Sequence, residues 1–143
     1  MLVNFIKRRY KNFSILFGKI AEFQAIFFLL FFKFLFPIKL RYKAQGGGEI
    51  DIIATHIFIK KIAFIEVKNR NSKENLFESI SNNQINRILI SSRIFLKTNK
   101  KYMDHKIVFL GVYFYNLRFQ KILNIDIDLD LKNNKYYNSR YNF

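Results

Sequence analysis

The apolar run of residues 62–65, ending in Glu66-Val67-Lys68, constrains this chain more than any other stretch. Strand alternation puts Glu66 and Lys68 on one face, roughly 7 Å apart along it, while Ile65 and Val67 point to the other. A carboxylate and an ammonium therefore emerge side by side from a strand otherwise built for burial. Neither is buried cheaply alone, so they require a mutual pair, a cleft, or a bound cation that takes the carboxylate as ligand.

A second carboxylate stands fifteen positions earlier, in Gly46-Gly47-Gly48-Glu49-Ile50-Asp51-Ile52-Ile53-Ala54. The glycines free the backbone for a turn or a close approach, and a short apolar strand follows. Hard divalent cations such as Mg²⁺ or Mn²⁺ take oxygen ligands, commonly one or two carboxylates with water and a substrate phosphate. Asp51 and Glu66 are candidates for those two. Lys68 would add a positive charge able to orient a water or to stabilise charge on a pentavalent phosphorus. That is the logic of a metal-dependent phosphodiesterase. Glu49 shares the face of Asp51 by alternation and suits a supporting role.

The segments Gly48-Glu49-Ile50-Asp51-Ile52-Ile53 and Phe64-Ile65-Glu66-Val67-Lys68 resemble the paired signatures of uncharacterised protein family 0102, the YraN-like proteins. That family is similar to restriction endonucleases and archaeal Holliday junction resolvases, which share the PD-(D/E)xK nuclease fold. The resemblance spans residues 18–128. It implies an α/β fold, a restriction-endonuclease-like sandwich with a mixed central sheet flanked by helices. It also implies Glu22, which follows Gly18-Lys19-Ile20-Ala21, as an acidic residue of the first helix completing a metal site with Asp51 and Glu66. Gln84 stands where the family often carries Lys, and Val108-Phe109-Leu110 lacks the Asp of a late R-F-D strand.

Composition adds a partner class. A formal charge of +15 on 143 residues favours a polyanion, nucleic acid first and an anionic membrane second. The abundance of Ile, Lys, Asn, Phe and Tyr is also what AT-rich codons encode, so charge alone does not name the partner. With no cysteine, disulfides, thiolate catalysis and Cys-based zinc sites are excluded. The cysteine-free composition is compatible with a cytoplasmic location, which is the expectation.

Lys7, Arg8, Arg9 and Lys11 precede a long apolar stretch, as at the start of a signal anchor. Lys19 and Glu22 interrupt that stretch, and a span needs about 20 mostly apolar residues. A buried first helix over residues 14–34 is the better reading, and membrane contact is not expected. Its apolar surface runs nearly all round, which leaves a partner or a membrane surface open on the side away from a sheet.

Beyond it, residues 38–44 read as an edge strand with Lys39, Arg41 and Lys43 alternating, and residues 49–55 and 61–68 as the next two strands. The 3.6-residue pattern of Phe77, Ile80, Ile85, Ile88, Leu89, Phe95 and Leu96 predicts a second helix over residues 74–97, with Gln84 at the edge of its apolar stripe. Residues 107–115 and 121–127 read as two more strands, and the Asn-, Lys- and Tyr-rich residues 131–143 as a disordered basic tail. One domain over residues 1–130 is expected.

The leading expectation is a Mg²⁺- or Mn²⁺-dependent nuclease acting on DNA, with Asp51, Glu66 and Lys68 catalytic. Glu49 and Gln84 would support the site, and Arg41, Lys43, Arg70 and Arg87 would meet the nucleic-acid backbone. Two copies pairing as a homodimer stay open. The alternative is a non-catalytic nucleic-acid-binding protein that retains the fold.

Overall fold

Five strands make one sheet in the order β1-β2-β3-β4-β5, formed by Leu35–Lys43, Glu49–His56, Lys61–Arg70, Lys106–Tyr115 and Arg118–Asn124. The computed structural model describes residues 2–74, 76–77 and 80–125. The tail expected to be disordered, residues 131–143, and the expected end of the last strand at residue 127 lie outside the described residues. Neighbours joined by short turns pair antiparallel, whereas β3 and β4 pair parallel. A parallel pair needs a crossover, and helix α2 (Asn82–Thr98) with the short 3₁₀ turn Lys100–Tyr102 supplies it. The result is the expected α/β architecture with a mixed sheet between two helices.

Helix α1 (Leu2–Lys33) closes one face of the sheet with Ala21, Ala25 and Leu29, which meet Ile52, Ala54, Ala63, Ile65, Val112 and Phe114. The two alanines let the helix backbone come close, and burying Leu29 contributes roughly 1.5–3 kcal/mol. Helix α2 closes the other face with Ile88 and Phe95, packed on Ile50, Ile53, Ile62, Phe64 and Phe109.

The expectation of a buried first helix needs correction. The helix is longer, and only its sheet-facing side is covered; of residues 11–20, all but Gly18 are exposed. No layer among the described residues packs on its outer side.

Other boundaries differ too: β1 begins at Leu35 and not at residue 38, and β5 ends at Asn124. Helix α2 begins at Asn82, not at residue 74, because Ser81 caps it by accepting a hydrogen bond from the Gln84 amide at 3.3 Å. Such a cap contributes about 1 kcal/mol. Strand β5 begins at Arg118, not 121, because Asn116 and Leu117 both adopt positive φ, 48° and 62°, and turn the chain in two residues. Asn69 holds that turn by accepting from the Leu117 amide at 3.0 Å.

The sheet forks. Strands β2 and β3 pair from Thr55↔Ile62 to Ile52↔Ile65 and no further. Beyond that point β2 stays with β1 to Lys43↔Glu49, while β3 stays with β4 to Arg70↔Tyr115.

Candidate catalytic cleft

At the fork, β3 loses the neighbour that its backbone would otherwise bond, and a side chain takes the vacated place. The Val67 amide donates to Asp51 Oδ2 at 2.7 Å. One step past the last paired residues, Asp51 falls opposite Glu66, so the two carboxylates face each other across the opening. Glu66 Oε1 accepts from Lys68 Nζ at 2.6 Å and from Gln84 Nε2. Glu66 Oε2 is buried and has no hydrogen-bond partner.

These carboxylates resist ionisation. Burial, then the neighbouring Glu66, pushes the Asp51 carboxyl up to about 7, against the pull of the Val67 amide. Burial likewise raises Glu66, with Lys68 working in the opposite direction. Two desolvated acids side by side make a place where added positive charge is welcome.

The second helix reaches Glu66 because the glycine turn lets it. The Gly48 amide donates to the Arg87 carbonyl at 2.9 Å, and the Ser91 hydroxyl donates to the Gly48 carbonyl at 2.5 Å. A Cβ on Gly47 would collide with Ser91 Oγ and stand 3.1 Å from Ser91 N. Gly47→Ala is therefore expected to push α2 off the turn and lower stability by about 1–3 kcal/mol, the usual cost of overpacking. A thermal melt checks it; an unchanged midpoint would mean the helix is docked by other contacts.

A cleft of about 440 Å³ opens at the fork, lined among others by Lys43, Glu49, Asp51, Glu66, Gln84 and Arg87. Lys68 does not line it and reaches Glu66 from beside it. Glu22 is held outside by Arg41, whose Nη2 and Nε donate to its two carboxylate oxygens at 2.9 and 3.1 Å. Arg41 lies level with Asp51, between the pairs Leu40↔Ile52 and Tyr42↔Ile50. Its φ of 48° is unusual for a strand residue. Its Nε stands 3.9 Å from Glu49 Oε1, and the bond to Glu22 raises its already high pKa.

The structure thus brings Asp51, Glu66, Lys68 and Gln84 together. It engages Glu22 in an ion pair, and among the described residues no group of three or more His, Asp or Glu side chains is arranged to hold a metal ion. Of the four basic residues expected to meet nucleic acid, Lys43 and Arg87 line the cleft, Arg41 is occupied by carboxylates, and Arg70 ends β3 beyond Lys68 without lining the cleft.

Tyr113 is a further neighbour of the site that the sequence patterns leave out. Gly111 pairs with Glu66, and a Cβ there would stand 2.6 Å from the Tyr113 hydroxyl, so the ring folds back over the glycine beside Glu66. Burial first, and Glu66 second, raise the Tyr113 pKa. No sequence signal marks it, since only the β3–β4 register sets Gly111 beside Glu66. Ser81 does carry a signal, because Ser-x-x-Gln is a capping pattern.

The model of a family described as "Uncharacterised protein family UPF0102" matches residues 30–127, from the last turn of α1 past the end of β5. No curated protein matches the chain.

Proposed function

The chain belongs to uncharacterised protein family UPF0102, and we propose that its cleft is the active site of a metal-dependent nuclease of restriction-endonuclease-like type, hydrolysing phosphodiester bonds in DNA. One observation carries the reading: Asp51 and Glu66 face each other across the fork, both resist ionisation, and Glu66 Oε2 has no partner. A hard divalent cation fits that donor set, since it takes carboxylate oxygens and would supply the orphaned atom with a ligand bond.

Asp51 and Glu66 would hold Mg²⁺ or Mn²⁺, which when bound supplies a Lewis acid and lowers the pKa of water. The chain's own groups do the rest. Lys68 keeps Glu66 Oε1 oriented and holds an ammonium beside the cleft, where it would offset the charge that grows on the phosphate oxygens as a water oxygen bonds to phosphorus, the bond to the leaving oxygen breaks, and the water's proton passes through solvent to that leaving oxygen. Gln84 fixes the same carboxylate from α2. Lys43 and Arg87 on the cleft wall suit contacts to flanking phosphates. Glu22 would join only by leaving Arg41.

That last pairing favours a second reading, a nucleic-acid-binding protein that keeps the fold without cutting. Calorimetry with Mg²⁺ or Mn²⁺, and nicking assays on plasmid and branched DNA, separate the two. The expected result is metal binding that Asp51→Asn abolishes, with cleavage that needs the same metal. Metal binding without cleavage of any substrate would put the second reading first; no metal binding would defeat the metal site itself.

A further inference from the structure

We infer that the outer face of α1 is a docking surface for an anionic lipid membrane, on which the helix lies in the plane of the headgroups with the sheet on its other side. Phe13, Leu16, Ile20, Phe23, Phe27 and Phe31 are all exposed, Phe23 to 75%. At 100° per residue they fall within an arc of about 80°, and they extend along about 27 Å of helix. The arc lies opposite Ala21, Ala25 and Leu29, which close on the sheet. It is a continuous apolar stripe on the side where no described element packs.

Charge decides the occupant. The first 21 residues hold five cations, Lys7, Arg8, Arg9, Lys11 and Lys19, and no acid. By the same helical geometry, exposed Lys19 and Lys33 fall along one side of the stripe. Aromatic and aliphatic side chains on one face with lysines beside it are the composition of an interfacial helix, which binds through apolar burial and attraction to anionic lipids together. A second copy is a poorer match, because it would bring the same basic segment and another +15 against this one.

Crossing the bilayer is also a poorer match. Residues 11–33 are long and apolar enough by length and composition, with a mean hydropathy of 1.9 over their most apolar 18-residue window. Spanning would, however, strip Ala21, Ala25 and Leu29 from the core and Glu22 from Arg41. Lying flat keeps both. The stripe lies almost wholly outside residues 30–127, so the surface belongs to this chain's own N-terminal helix and not to the matched family region.

The test is cosedimentation of the nucleic-acid-free full chain with sucrose-loaded vesicles of phosphatidylcholine alone, or of phosphatidylcholine with phosphatidylglycerol. Binding is expected to the anionic vesicles, to weaken as salt rises, and to drop at least tenfold in partition constant for Phe23→Ser/Phe27→Ser. The double variant should keep the parent's thermal midpoint, because both rings point away from the core, and Phe23→Leu/Phe27→Leu should retain binding. Absence of binding, or equal binding by the serine variant, would overturn the inference. So would a dimer in sedimentation that the serine variant dissolves, since the stripe would then belong to a second copy, or protein that salt and carbonate washes cannot release, since the helix would then span.

Discussion

Replacing Lys68 by alanine is expected to lower phosphodiester cleavage by roughly 10²- to 10³-fold while DNA binding stays near that of the parent. The ammonium is mostly buried and sits 2.6 Å from Glu66 Oε1, so its charge acts where water screens poorly. One lysine among 25 basic residues adds little to general attraction for a polyanion, which is why binding should survive. The change also removes a group that eases ionisation of Glu66, so a modest loss of stability should accompany it. Comparing rates for Lys68→Ala and Lys68→Arg at temperatures well below both melting midpoints isolates the chemical contribution. A Lys68→Ala protein that cuts as fast as the parent would reduce the lysine to a structural ion pair.

Asp51→Asn is expected to do two opposite things: abolish the response to metal and stabilise the metal-free protein at alkaline pH. The folded-state pKa of Asp51 is near 7 against an ordinary 3.8. Between those values the folded protein holds a proton that the unfolded chain has released, so stability falls as pH rises through the window and the full penalty is present above it. Asparagine carries no such penalty and still offers the Val67 amide an oxygen. The gain at pH 8 should be roughly 2–4 kcal/mol, since each tenfold weakening of the acid corresponds to about 1.4 kcal/mol. Adding Mg²⁺ should raise the melting temperature of the parent and leave the variant unmoved. Parallel stability profiles for the two proteins from pH 4 to 8 would show that Asp51 ionises freely in the folded state.

What the sequence discloses is whatever depends on neighbouring residues. The alternation around Asp51 and Glu66 marks two strands with carboxylates on one face, and those residues do meet across the fork. The amphipathic period of α2 is likewise local. Its start is masked because Phe77 and Ile80 continue the apolar period past it, although the Ser81-x-x-Gln84 capping pattern is a local mark of the true boundary. For α1 the period is silent for a different reason: with apolar residues nearly all round, nothing local says which side the sheet will cover. Glu22 and Arg41 lie 19 positions apart, and their pairing exists only because α1 and β1 fold together. The β5 boundary is hidden by Leu117, a residue type that rarely adopts positive φ.

The bond from the Val67 amide to Asp51 has a further bearing on how the protein could change over time. Where the sheet divides, the backbone needs an oxygen acceptor at position 51 whether or not any chemistry occurs there. A relative that does not cut would still be held to an oxygen-bearing side chain at this point, while Lys68 and Gln84 could drift. An aspartate here would therefore be kept with or without the proposed cleavage, and the lysine that reaches Glu66, not the aspartate, is the better indicator of which related proteins to test for it.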